Sequence, residues 1–113
     1  MKNRQQLIAG VFKALGHSTR LAIVTMLKDG ERCVCELVEQ VGQGNQSNIS
    51  QHLALLRRAG LLQSRKEGLS VYYRLRYPEV AQLIGCAERL LLLQLEETQR
   101  SLSTSDSVGG ESK

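Results

Sequence analysis

The sequence predicts a mostly helical fold that carries one small β-hairpin. Three observations predict it. Apolar residues recur at helical spacing in five stretches, the period switches to strict alternation after Gly60, and two of the helices meet at a tight glycine turn just before that switch. At 113 residues the natural count is one domain. Aromatic residues make up only 4% and Trp is absent, so aliphatic side chains, mostly Leu and Val, must fill the core.

The first helix covers residues 4–15, with Leu7, Ile8, Val11, Ala14 and Leu15 at helical spacing. Gly16 and His17 break it. Ser18 can cap a second helix over residues 19–28, with Leu21, Val24 and Leu27 facing inward, and Asp29-Gly30 signals a turn. A short third helix over residues 35–41 turns Leu37, Val38 and Val41 to the core. Gly42 and Gly44 then make the tight turn of a helix-turn-helix. In the fourth helix, within residues 44–62, Asn45 is a good N-cap and Ile49, Leu53 and Leu56 form one apolar stripe. Residues 61–66 and 69–75 read as strands around Glu67-Gly68, with Val71, Tyr73 and Leu75 alternating with Ser70, Tyr72 and Arg74. Pro78 suits the first turn of a last helix. That helix is apolar nearly all round: Val80, Leu83, Ile84, Ala87 and Leu91 line one side, and Leu90, Leu92 and Leu93 extend it. Such a helix must be buried on every side, which points to a homodimer formed through the first and last helices. Residues 1–100 are therefore read as one domain that also forms the dimer. Residues 101–113, polar and small, are read as a disordered tail.

The fourth helix suggests the function. At about 100° per residue, Ser47, Gln51 and Arg58 lie opposite the apolar stripe, Asn48 and Ser50 flank them, and small Ala54 permits close approach. This face is almost free of carboxylates. Gln and Asn can bond an adenine edge twice, Ser reads tolerantly, and Arg suits guanine or phosphate. Gln46, Ser47, Asn48, Ser50, Gln51 and His52 are the candidates for reading DNA, and Arg57, Arg58, Arg65 and Lys66 those for holding phosphate. Arg65 and Lys66 sit near the hairpin tip, so the hairpin reads as a basic wing. The fold class is thus a winged helix-turn-helix, and the partner is double-stranded DNA. The net charge of +4 favours a polyanionic partner mildly. No stretch has the length of a signal peptide or a membrane span, so the protein is expected in the cytoplasm, with its three Cys as thiols.

Cys33-Val34-Cys35 lies at the start of the third helix. On a regular helix, residues i and i+2 point about 200° apart and cannot share an ion. In extended backbone they point the same way. Two thiolates there could hold one soft ion only where the chain is not helical. The helix N-terminus and Arg32 should both favour thiolate. Cys86, on the last helix, is either core, a third ligand from the same or the partner chain, or a disulfide partner on oxidation. His17 reads as a loop residue and His52 as a partly buried flank of the fourth helix, neither as a metal ligand.

ERCVCEL, QSNISQHLALLRRAGLL and RKEGLSVYYRL, in this order of elements, resemble the ArsR/SmtB family of small winged-helix repressors over about residues 5–100. The CVC resembles the signature of its arsenic- and antimony-responsive branch. That resemblance implies a homodimer on a palindromic operator, with no permanent cofactor, released when As(III) or Sb(III) binds thiolates at Cys33 and Cys35. Close members often carry a third Cys three residues on, where this chain has Val38, so either two thiolates suffice or Cys86 or an exogenous thiol supplies the third. The family's zinc site on the last helix has no counterpart, since residues 78–95 hold no His or Asp. A persulfide- or redox-sensing branch, bridging Cys33 or Cys35 to Cys86, is the alternative. Two other classes fit less well. An enzyme lacks a base near the CVC, a carboxylate pair or a phosphate loop. A thiol-rich metal-binding module would leave the basic wing without purpose.

Overall fold

The computed structural model describes residues 1–107, with side chains as far as Leu102. In order, the elements are α1 (Arg4–Leu15), α2 (Ser18–Leu27), β1 (Arg32–Cys33), α3 (Val34–Gln40), α4 (Gln46–Arg58), β2 (Leu62–Glu67), β3 (Ser70–Leu75) and α5 (Pro78–Ser107). The chain divides into two compact units, Met1–Gln82 and Leu83–Lys113. The first holds the helix-turn-helix and the wing. The described part of the second is the remainder of α5.

Local chemistry sets the helix ends. Asn3 and Gln6 cap α1 reciprocally, each side chain accepting from the other's backbone N–H at 2.9 Å. His17, rather than Ser18, caps α2: its Nδ1 accepts from the Thr19 N–H at 3.0 Å. Asn45 caps α4 as expected, Oδ1 accepting from the Asn48 N–H at 3.0 Å. The α3–α4 turn depends on Gly42, because a Cβ there would run into the Ile49 side chain and the Val38 carbonyl.

The core of the first unit is Ile23, Val24, Leu27, Leu37, Ile49, Leu53, Leu56 and Leu62, all essentially buried. The α4 stripe is as read from sequence. In α2, Leu21 faces solvent and Ile23 takes the inward place expected of it, because Val24 and Leu27 share the buried face with Ile23.

The hairpin is part of a three-stranded antiparallel sheet of order β1-β3-β2. Leu62 faces Leu75 and Glu67 faces Ser70, which leaves Gly68-Leu69 as a two-residue loop. The extra strand is two residues long, too short to show alternation, and pairs Arg32 with Tyr73 and Cys33 with Tyr72.

In the second unit Leu90, Leu91, Leu92, Leu93 and Leu95 are all exposed. Helix α5 continues to Ser107, so the first residues of the stretch read as a disordered tail are helical. Nothing between Gly85 and Ser107 is Gly or Pro, and a formed helix extends through polar residues at little cost. Residues 108–113 of that tail lie outside the described residues. Among the described residues no single helix is long and apolar enough to cross a membrane.

Candidate DNA interface and cysteine site

Helix α4 presents Gln46, Ser47, Asn48, Ser50, Gln51, Arg57 and Arg58 to solvent, while Ile49, Leu53 and Leu56 anchor its other side. The polar side chains therefore project from a helix held rigidly against the core. His52 is half-buried at the flank, its ring centroid 4.4 Å from that of His17. Burial, and then the charges of His17 and Arg20, hold the His52 pKa below the ordinary imidazole value. His52 thus sits between α4 and the start of α2 rather than on the outermost face.

The wing arginines are not equivalent. Arg65 donates from Nε and Nη2 to the two carboxylate oxygens of Glu31, both at 2.8 Å, and from Nη1 to Glu67. Its guanidinium also lies 4.7 Å above the Tyr72 ring. These hydrogen bonds lower the Glu31 pKa and raise that of Arg65. Arg65, expected to hold phosphate, is therefore already engaged by two carboxylates. Lys66 is exposed. Arg57 donates from Nη1 to Ser64 Oγ at 3.1 Å, tying the end of α4 to β2.

The cysteines lie where helix and strand meet. Cys33 ends β1 and is the N-cap of α3, with φ −69° and ψ 145°, so its backbone is extended. As the N-cap, its side chain folds over the first turn of α3, where Cys35 stands. The Cys33 and Cys35 sulfurs lie against each other, with Cα atoms 5.2 Å apart, a spacing that a disulfide could bridge. Cys86 is free and exposed. Cys33 is buried and Cys35 exposed. Cys33 Sγ accepts from the Cys35 N–H at 3.3 Å, and the Cys33 N–H donates to Glu36 Oε1 at 3.0 Å. Arg32, expected to favour thiolate, has Nη1 3.8 Å from Glu36, so its charge is shared with a carboxylate. Among the described residues no group of three or more His, Cys, Asp or Glu is placed to hold a metal ion.

Both cysteines line a cavity of about 640 Å³. Its other walls are Gln46, Ser50 and Leu53 of α4 and Leu69, Val71 and Tyr73 of the wing. The sulfur pair and two of the residues read as DNA-facing therefore open into one space. A second, more polar cleft of about 470 Å³ lies between the end of α4 and the sheet, lined by Arg57, Gln63, Ser64, Arg65, Arg74 and Arg76. Arg74 and Arg76 are absent from the set read from sequence. The signal was there: two arginines two apart in extended backbone share a face.

Residues 17–64, the span from the α2 cap to β2, match the family described as bacterial regulatory protein, arsR family. The biofilm growth-associated repressor of Xylella fastidiosa is 35% identical over 94 residues, covering 83% of this chain and 82% of that protein. The chain belongs to the arsR family. The arsenical resistance operon repressor of Escherichia coli is 53% identical over 66 residues, and the match covers 58% of this chain and 56% of that protein. The regulator KmtR of Mycobacterium tuberculosis is 44% identical over 78 residues, 69% of this chain, and the match spans 59% of its length. This ArsR-family chain also superposes on a homodimeric winged helix-turn-helix DNA-binding domain of Mycobacterium bovis. The TM-score is 0.74 at 32% identity, covering 86% of this chain and 93% of that one. Its family consists of DNA-binding transcriptional regulators, so it is a regulator and not an enzyme.

Proposed function

We propose that this ArsR-family regulator is a homodimeric repressor that leaves a palindromic operator when trivalent arsenic or antimony binds Cys33 and Cys35. The observation that carries the reading is the shared cavity: the sulfur pair faces Gln46 and Ser50 of the recognition helix across it. A ligand held on both sulfurs occupies space beside the base-reading face and replaces the sulfur acceptor that caps α3. Residues 1–100 act as the DNA-binding and dimerisation unit. The apolar side chains exposed on α1 (Leu7, Ile8, Phe12) and on α5 (Leu90 to Leu93) support pairing of two chains, as in the homodimeric M. bovis domain. Two recognition helices then reach successive major grooves about one helical turn apart.

The donor set suits a soft ion once the pair is reduced, since two thiolates then point to one side. A trivalent centre takes its third ligand from Cys86, of the same or the partner chain, or from an exogenous thiol. The ligand need only favour the DNA-incompetent state; a coupling of about 1–3 kcal/mol weakens binding roughly 5–150-fold. The test is operator binding by fluorescence anisotropy under reducing conditions, titrated with arsenite. Replacing Cys33 and Cys35 together by Ser should keep binding and abolish release. Normal release from the double variant would reject the site.

A second reading, persulfide or oxidant sensing, is favoured by one observation, the close contact of the Cys33 and Cys35 sulfurs. Release by a persulfide donor alone, reversed by reductant, would select it over the metalloid.

A further inference from the structure

The four-arginine cleft takes no part in metalloid release. It joins two elements. Arg57 comes from the last turn of α4, and Arg74 and Arg76 come from the far strand of the wing. The Arg76 N–H donates to the Leu61 carbonyl at 2.9 Å, so the strand pairing runs on past Leu75 and keeps Arg76 on the Arg74 side. Gln63, paired across from Arg74, and Ser64 complete the polar wall.

The charges do not cancel. No carboxylate lines the cleft, and Glu31 and Glu67, at its edge through Arg65, are both taken by Arg65. Glu31 also feels the charge of Arg74. Arg57 bonds a hydroxyl, Arg76 bonds the Tyr77 hydroxyl from Nε at 2.8 Å, and Arg74 has no hydrogen-bond or ion-pair partner among the described residues. Three exposed guanidiniums thus converge on one cleft with one engaged carboxylate pair at its edge. Arginine forks match phosphate oxygens geometrically, and a cation left unpaired by the protein invites an external anion.

We infer that this cleft is a DNA-backbone clamp in which Arg74 and Arg76, with Arg57, hold a phosphodiester beside the bases read by α4. The occupant is DNA phosphate rather than a free anion because the cleft is continuous with the C-terminal turn of the recognition helix. The inference rests on the DNA-binding reading above and adds the residues that fix the wing on the duplex. Phosphate contacts carry affinity and register but no sequence information.

The experiment measures affinity against salt for operator and scrambled duplexes, using the full chain. The slope of log K against log salt falls by about 0.9 for each phosphate that the protein no longer neutralises. Arg74→Ala should lower the slope by about that amount per protomer, and Arg74→Ala with Arg76→Ala by about twice it. Both duplexes should weaken by the same factor. Arg74→Lys with Arg76→Lys should recover most of the slope, which a variant damaged only in folding would not. A wild-type slope in the double alanine variant overturns the inference, as does weakening confined to the operator at unchanged slope. Saturable binding of inorganic phosphate, abolished in that variant while its DNA slope stays normal, would also overturn it and assign the cleft to a small anion. Should the wild-type chain not discriminate operator from scrambled DNA, the operator reading fails, while the slope on scrambled DNA still decides the clamp.

Discussion

Replacing Gly42 by Ala tests how the helix-turn-helix is held together. A Cβ on Gly42 meets the Ile49 side chain, with Cδ1 at 3.0 Å, and the Val38 carbonyl oxygen, also at 3.0 Å. Ile49 is fully buried under α4, and the Val38 carbonyl belongs to the α3 backbone, so neither can yield freely. Gly42 does not adopt a positive φ, so the cost is steric. Overpacking of this kind costs about 1–3 kcal/mol, and the smaller entropy of an Ala-containing unfolded chain returns about 0.4–1. A net loss of about 1–2 kcal/mol lowers Tm by roughly 4–16 °C for a unit of this size. Gly44 is the contrast. Its Cβ would meet nothing within 4 Å, but its φ is +88°, so Gly44→Ala costs about 1–2 kcal/mol through backbone strain. Asn tolerates that conformation, so Gly44→Asn should be milder than Gly44→Ala, while Gly42→Asn should be worse than Gly42→Ala. The assay is thermal unfolding followed by circular dichroism at one fixed protein concentration, with operator affinity measured where all variants are folded. Any Gly42→Ala shift moves α4 against α3 and should weaken the operator complex beyond the stability loss. A Tm within about 1 °C of wild type, or Gly42→Asn matching Gly44→Asn, would refute the steric account.

Four further outcomes are expected. Because the folded His52 pKa lies below its ordinary 6.5, the unfolded chain binds more protons in that window. Its stabilising effect is complete above about 6.5 and declines as pH falls toward the lower folded value; His52→Gln should flatten urea-measured stability between pH 7 and 5, and an unchanged profile removes the cause. Asn45→Ala leaves the Asn48 N–H without its acceptor and should cost about 1 kcal/mol in chemical denaturation. Leu91→Glu places a charge on the exposed apolar face of α5 and should leave a monomer by light scattering at concentrations where the wild type is dimeric; an unaffected dimer would clear this face of the role. Cys86→Ser should release the operator at the wild-type arsenite concentration when excess free thiol is present, and a large rightward shift would instead make Cys86 the third ligand.

Much of the site is legible in the sequence because it is local. The Asn45 cap and the Ile49, Leu53, Leu56 stripe fix which side of α4 is polar, and helical geometry alone does that. Boundaries and partners are less legible. Residue type points to Ser18 as the α2 cap, whereas His17, a rarer acceptor that needs a particular ring position, takes that place. The polar stretch after Ser101 reads as disordered by composition, yet no breaker stops α5 before Ser107. Arg65 reads as a free cation in sequence, but Glu31 lies 34 residues away, and only folding brings the pair together.

By itself the sequence determined the order of helices and hairpin, the polar face of α4, and the presence of two sulfurs spaced two residues apart. Those properties follow from period, capping and turn chemistry within short windows. The tertiary structure alone decided that β1 exists, since it is held by β3 from the other end of the unit. Because Cys33 belongs to that strand and also caps α3, its side chain folds over the first turn of the helix and the two sulfurs meet, where two positions inside a helix would have been kept apart. The cavity shared with Gln46 and Ser50 and the cleft of four arginines likewise depend on long-range packing. Each is walled by segments that no local pattern connects, and their side chains become neighbours only when the apolar faces of α2, α3 and α4 are buried together.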